Sequence, residues 1–509
     1  MSDATPPARR RERPARNRTA ATTPPLPRLH NPWAPVELFD ADQLHRVLNA
    51  AWRILEEGGL EIRSTRAREI YRRGGAMVDE ATQMVRLDRA LIAEICGQAP
   101  ESFVLHARNP ARDLHVGGNV VNFGPVNGTP HVTDLAGGRR YGTLEDFRSI
   151  LKVTQALGVL HWQGGVVTEP TDIPVLHRHL EMYLAHAQCS DIVWAARGVG
   201  GVQAADAIAM SAIEHGTTAD GLAARPTLMS VTNVNSPRRV DEEILDNIMT
   251  MAEHGQCVVI TPFTLMGAMA PVTLAGALAQ QTAEAMGIIA LVQMIRPGCP
   301  AVLGGFTSNV DMRTGSPAFG TPEYVHATLG GAQIARALKI PYRSSAVCAS
   351  PAADAQAAWE TGFSLWASIM SHSHLINHAA GWLEGGLSAS FEKVIIDAEM
   401  LRAWAAMLKP ISFTDDDLAV EAILATPPGG HFFGSPHTMS RYENAFWRPL
   451  LADWSNFENW RDAGAKDATV RAAEVWARTL SSAESPPLDP AIDEALGAYV
   501  AARKDEIGA

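Results

Sequence analysis

Eight clusters of small, amide, hydroxyl and aromatic residues, each following a short apolar run, hold most of the chemistry this chain offers. They are Gly124-Pro-Val-Asn127, Gln163-Gly164, Ala196-Arg197-Gly198 and Asn233-Val-Asn-Ser-Pro237, then Pro262-Phe-Thr264, Phe306-Thr-Ser-Asn309, Cys348-Ala-Ser350 and Ala379-Ala-Gly-Trp382. Arg197 is the one cation among them, and no two carboxylates are paired; Glu169, Asp172, Asp311 and Glu384 lie further along. Such a set suits a cationic ligand without hydrogen-bond donors. A quaternary ammonium has no N–H to give, so a protein holds it with ring faces and polar oxygens. Phe123, Trp194, Phe263, Phe306 and Trp382 are the candidate cage, each with hydrophobic core as its competing role.

Other chemistries find little support. No GxxxxGK[ST] is present, so a P-loop is excluded. Gly198-Val-Gly-Gly201 resembles a phosphate nest, but alone it is a weak signal. No Cys/His set has zinc spacing, and no bound metal is expected. His372-Ser-His374 with His378 straddles a helix end and a strand, so its imidazoles are not expected to converge. His177 and His179, two apart on a helix, point to different faces and read as surface residues. Cys348 is a candidate nucleophile without an evident His/Asp partner, and a packed thiol is the simpler reading.

Near-continuous apolar runs must position these clusters. They span Val120–Phe123, Val159–Val167, Ile192–Ala196, Thr227–Thr232, Cys257–Thr261, Ala301–Phe306, Tyr342–Val347 and Leu375–His378. Amphipathic stretches of helical length separate them, among them Thr143–Leu157, Pro174–Gln188, Arg239–His254, Thr273–Arg296 and Asp354–Ser371. Apolar strands alternating with helices mark a parallel sheet covered on both faces. Eight units over residues 116–408 predict an α/β fold, a (β/α)8 TIM barrel whose site lies at the C-terminal ends of the strands. Residues 31–115 read as an N-terminal helical cap, with helices at Ala41–Glu57, Ser64–Gly74 and Asp88–Gln98. Residues 409–509 read as a C-terminal helical extension in which Trp404, Trp447, Trp454, Trp460 and Trp476 serve packing.

Of 509 residues, 46% are hydrophobic, ample for a large core, and the net charge of -12 argues against a general nucleic-acid binder. The charge is uneven. Seven Arg against one Asp and one Glu give residues 1–30 a charge of +5 and leave -17 on the rest. The run Arg9, Arg10, Arg11, Arg13, Arg16, Arg18 has no apolar period and reads as a disordered, solvated tail. No signal peptide or membrane span is evident, and five scattered cysteines fit a reduced compartment, so a cytoplasmic protein is expected.

Specific strings add a resemblance. Pro262-Phe-Thr-Leu-Met-Gly-Ala-Met-Ala-Pro271 and the segment through Gln281, Asp311-Met-Arg-Thr-Gly315, Gly320-Thr-Pro-Glu323 and Asp354-Ala-Gln356 resemble the trimethylamine:corrinoid methyltransferase family. So does Gly429-Gly-His-Phe-Phe-Gly434 with His437, Thr438 and Arg441, and order and spacing agree over roughly residues 30–505. The resemblance implies a barrel that passes a methyl group from an amine to Co(I) of a cobalamin (corrinoid) carried by a partner protein docked at its mouth. It also implies a homo-oligomer. The family's best-known branch handles trimethylamine with a pyrrolysine, which aligns at about Pro351; neither pyrrolysine nor lysine stands here. The resemblance is therefore to the pyrrolysine-free glycine betaine methyltransferases. A quaternary amine leaves as a neutral tertiary amine and needs orientation rather than activation. Arg197 is then the expected carboxylate partner, with His378, Asn233 and Asn235 as secondary polar groups. Gly124, Gln163, Thr307, Ser350 and Pro351 are expected to face the corrinoid. A trimethylamine-type enzyme, a lyase or hydrolase on the same fold, and a non-catalytic betaine sensor remain alternatives.

Overall fold

All eight apolar runs become short parallel strands, buried on both faces, which is why their sequences scarcely alternate. We number them β1 (Val120–Phe123), β2 (Trp162–Gln163), β3 (Val193–Ala196), β4 (Leu228–Val234), β5 (Cys257–Pro262), β6 (Ala301–Gly304), β7 (Tyr342–Ser345) and β8 (Leu375–Asn377). The principal helix after each is α1 (Leu144–Leu157), α2 (Arg178–Cys189), α3 (Gly201–Glu214), α4 (Glu242–Glu253), α5 (Leu274–Ile295), α6 (Pro322–Ala337), α7 (Ala355–Met370) and α8 (Phe391–Met407). The computed structural model describes residues 27–508. The Arg9–Arg18 run lies outside them.

The strands form one curled sheet in the order β1-β8-β7-β6-β5-β4-β3-β2, and the short strand Leu29–His30 adds antiparallel to β1 as a ninth. At the two ends of the parallel run, the His161 N–H donates to the Phe123 carbonyl at 2.8 Å. Gly124 sits where β1 meets β2. A Cβ there would lie 2.1 Å from the Trp162 indole, so only glycine permits the approach.

Alternate strand residues face opposite ways. Trp162, Val193, Ala195, Met229, Val259, Val302 and Leu375 form an inner cluster together with Leu105, Leu114 and Val116. The latter belong to a hairpin, Phe103–Leu105 with Leu114–Val116. Its flank bonds the Pro226, Asp191 and Leu160 carbonyls, which lead into β4, β3 and β2, so the hairpin plugs the N-terminal end of the strands. Helix α5 is buried on nearly every side because helices Ala41–Arg53 and Arg89–Cys96 pack on its outer face, and it is correspondingly apolar all round.

The N-terminal region is less purely helical than expected. It contains a small sheet of Leu60–Ile62, Met77–Asp79 and Met84–Arg86, joined by Arg239–Val240. After α8 the chain changes character: from Lys409 through Leu450 no residue is buried. Helix Ala468–Ser482 then returns to pack on α8 and α1, and helix Pro490–Ile507 packs on α2 and α3. Of the tryptophans expected to serve packing, Trp476 is buried and stacked on Phe391, whereas Trp454 is exposed. Among the described residues no helix is long and apolar enough to cross a membrane.

Candidate active site

The register of the strands builds the site. Asn233 pairs with Thr261, Gly304 with Arg343 and Arg343 with Leu375, and the Ile260–Leu303 pair of β5 and β6 sets Thr261 level with Gly304. Leu375 faces inward, and Thr261 and Arg343 continue the inward rows of β5 and β7. One further step up are Phe263, Phe306, Ser345 and Asn377.

Arg343 dominates this layer. It is 2% exposed, yet its Nε and Nη1 have no hydrogen-bond partner among the described residues. Its guanidinium carbon lies 5.3 Å from the centroid of the Phe306 ring. Burial pulls its pKa down to about 10, so it still carries a full charge at neutral pH. A buried cation without a counter-ion costs several kcal/mol, on the order of what a buried ion pair recovers. Thr261 Oγ1, Asn377 Oδ1 and Trp382 Nε1 are also buried without a hydrogen-bond partner among the described residues.

Phe306 is the hub of the surrounding rings. Phe263 lies 5.1 Å from it, Phe319 5.5 Å and nearly parallel, His378 5.8 Å and Trp382 6.4 Å edge-on. His378 takes a left-handed φ of 58°, which turns its ring onto Trp382 at 3.9 Å and its Nδ1 to Ser345 Oγ at 3.1 Å. Burial, with Arg343 nearby, drives the His378 pKa well below its usual value, so the ring is neutral. The turn that carries Trp382 is anchored from behind: the Gly381 N–H donates to Asp397, which pairs with buried Lys393 on α8.

Thus Phe263, Phe306, His378 and Trp382 come together around a cation that sequence reasoning missed. Of the remaining candidates, Asn233 shares the Arg343 layer through the strand register, and the others go elsewhere. Phe123 packs into the helix layer against His161. Trp194 faces outward too, stacked on His186 of α2 with its Nε1 donating to Glu214 of α3. Arg197, the expected carboxylate partner, is already paired with Glu169 at 2.8 Å. Asn233 is exposed at the rim, and Asn235 accepts from the Asp241 N–H. Of the residues expected to face the corrinoid, Pro351 is exposed. Gly124 is buried at the β1–β2 approach. Gln163 bonds Thr154 of α1, Thr307 donates to Gln281 of α5, and Ser350 is buried against Asp354. Cys348 is buried with its thiol on the Trp382 carbonyl, and burial pushes its pKa up to about 12. His179, expected on the surface, is buried against Asp206. His374 bonds the Gly118 carbonyl and the Tyr342 N–H, while His372 bonds the Trp33 carbonyl.

Residues 7–508 match the trimethylamine methyltransferase (MTTB) family. The chain belongs to that family. Among its relatives it is 34% identical to the glycine betaine methyltransferase of Desulfitobacterium hafniense (strain Y51), over 92% of this chain and 98% of that one. It is 29% identical to the trimethylamine methyltransferase MttB of D. hafniense (strain DSM 10664 / DCB-2), over 92% and 94%. An L-carnitine:corrinoid methyltransferase of Eubacterium limosum is 25% identical over 78% of this chain and 83% of its own. In fold, this family member is similar to the monomethylamine methyltransferase MtmB of Methanosarcina barkeri, with a TM-score of 0.50 at 11% identity, covering 89% of this chain and 96% of that one.

Proposed function

We propose that this methyltransferase moves a methyl group from a small betaine to the corrinoid of a partner protein. The observation that carries the reading is the unpaired Arg343 guanidinium buried beside the Phe306 ring cluster. A betaine answers both halves: its carboxylate pairs with the guanidinium, and its quaternary nitrogen rests among Phe263, Phe306 and Trp382. Trimethylamine or choline would leave the buried charge unanswered. Relatives named for glycine betaine and L-carnitine, both carboxylated quaternary amines, agree with this choice.

The partner's corrinoid would supply the reduced metal that accepts the methyl group. Exposed Asn233 and Pro351 and half-buried Phe263 are the rim groups against which that partner would sit. Within the pocket the residues bind, orient and exclude water. As the N–CH3 bond breaks, its electron pair stays on nitrogen and the tertiary amine leaves neutral, so no proton is needed. A neutral His378 suits that requirement: it shapes the wall without adding a charge that would repel the ammonium. We further infer that the strands close into a complete (β/α)8 barrel, supported by the His161–Phe123 hydrogen bond.

The test is to mix the protein with cob(I)alamin and glycine betaine, carnitine, choline or trimethylamine, and follow methylcobalamin by absorbance. Betaines are expected to react. Turnover of trimethylamine alone would overturn the reading. Arg343→Ala should raise KM for a betaine roughly 100-fold, in line with the 2–5 kcal/mol cost of truncating a buried charged contact, and change choline handling by only a few-fold.

A further inference from the structure

Arg343 is short of acceptors, and the strand beside its own carries a group short of a donor. Asn377 ends β8 and is 3% exposed, and its Oδ1 has no hydrogen-bond partner among the described residues. An acceptor buried in this way has lost water without gaining a donor, so it destabilises the free protein. Its direction follows from the strand. Leu375 faces the inner cluster and Ile376 the helix layer, so Asn377 faces inward again, one step nearer the mouth. Its partner on β7, Ser345, is engaged, with Oγ at 3.1 Å from His378 Nδ1. On the other side, the register of β8 on β1 sets Gly124, which has no side chain, level with it.

Unmet donors and an unmet acceptor on adjacent strands ordinarily pair with each other. Here the Arg343 guanidinium lies instead against the Phe306 ring, which follows β6 on the far side of β7 from β8. The pocket thus presents two opposite demands. Nε and Nη1 of Arg343 require an anion, and Oδ1 of Asn377 requires a donor or a positive charge. A zwitterion meets both in one molecule. The amide can turn either end inward, and a cation selects the oxygen and repels the NH2 group.

Resting on the betaine reading above, we infer that Asn377 is a specificity-determining contact for the substrate: its amide oxygen faces the quaternary ammonium while Arg343 holds the carboxylate. The ammonium has no N–H, but its N-methyl and methylene hydrogens carry most of its charge and make C–H···O contacts with a carbonyl oxygen. Phe263, Phe306 and Trp382 wrap the same group, and rings pack against any apolar body of the right size as well as against a cation. The oxygen responds to the charge itself, so it lets the site tell a quaternary nitrogen from a tert-butyl carbon of the same shape. Its role is binding rather than catalysis. Breaking the N–CH3 bond removes the positive charge from nitrogen, so the oxygen holds the bound substrate more firmly than the transition state.

The probe is tert-butylacetate, which is glycine betaine with carbon in place of nitrogen: the same carboxylate and shape without the positive charge. Calorimetric titration of the full chain with each ligand reads the difference, and the wild type should bind glycine betaine the more tightly. Asn377→Leu keeps the branching of the side chain and removes its oxygen. It should weaken glycine betaine roughly 5- to 10-fold, the worth of a few C–H···O contacts, and leave tert-butylacetate unchanged or tighter. Arg343→Ala should weaken both. In turnover with cob(I)alamin, Asn377→Leu should raise KM for glycine betaine and leave kcat unchanged or higher. Its ligand-free Tm should equal or exceed that of the wild type, because an unmet acceptor is gone. Equal weakening of both ligands, or no change in either, overturns the assignment and leaves the betaine reading standing. A lower ligand-free Tm also overturns it, since the amide would then be satisfied in the free protein. A wild type that binds neither ligand overturns the betaine reading and this assignment with it.

Discussion

Arg343 is a charge buried in advance of its counter-ion, and that has a measurable consequence. In the free protein its unpaired guanidinium is destabilising, and an apolar residue of similar size should relieve the strain. Arg343→Met is expected to raise the ligand-free Tm by a few degrees, since replacing buried charges by apolar groups is neutral or stabilising by roughly 1–4 kcal/mol. It should also abolish the Tm increase that glycine betaine gives the wild type. Differential scanning calorimetry decides; a lower Tm in the variant would mean that the guanidinium is satisfied in the free protein. Nothing after the strand ends announces Arg343. It stands second in Tyr342-Arg-Ser-Ser345, within a fully buried strand and short of the mouth. The legible clue was an arginine inside a strand otherwise built for burial. Arg197 looked better placed, but a carboxylate 28 residues earlier in the chain, Glu169, had already claimed it.

At the scale of elements, α8 shows how a helix aims a loop. Lys393 donates to Thr361 of α7 at 2.8 Å and pairs with Asp397, which in turn accepts the Gly381 N–H at 2.9 Å, one residue before Trp382. Burial pushes the Asp397 pKa up, and Lys393 pulls against it. Lys393→Met and Asp397→Leu each strand one buried charge and should each cost about 3–5 kcal/mol. The double variant should recover most of that stability, yet bind betaine more weakly because Gly381 loses its acceptor. Urea denaturation with calorimetric titration reads both; strictly additive losses would show that the two residues act independently. All eight strands were legible because two-sided burial keeps the runs that contain them predominantly apolar. The same burial hid which residues face in: Phe123 and Trp194 read like Phe306, and only the register separates wall from pocket. The Met77–Arg86 hairpin escaped notice because three-residue strands carry too little pattern to distinguish from turns.

At the scale of the molecule, the C-terminal helix Pro490–Ile507 straps the outer layer. Asp206 of α3 accepts from His179 of α2 and from Tyr499 and Arg503 of the strap, while Lys504 pairs with Glu181 and Gln188 bonds Asp493. Burial would raise the Asp206 carboxyl, but the hydrogen bonds from His179, Arg503 and Tyr499 outweigh it and hold the pKa at about 2. A depressed carboxyl adds stability that is fully present above its unfolded pKa near 4 and fades as pH falls toward 2. Asp206→Asn should therefore cost about 2 kcal/mol at pH 7, with the gap to wild type closing between about pH 4 and 2 in denaturation experiments. A gap unchanged across that range would remove the charge from the explanation.

Among the described residues the hairpin stops the lower end of the strands, which leaves their C-terminal ends as the way into the proposed pocket. Under the proposed reaction, amine and metal must approach through the same opening. The betaine has to be seated before the corrinoid protein arrives, and the demethylated amine stays enclosed until that protein departs. Kinetically, the two substrates are bound to a fixed order, and excess corrinoid partner should compete with the betaine for a free enzyme whose door it has shut.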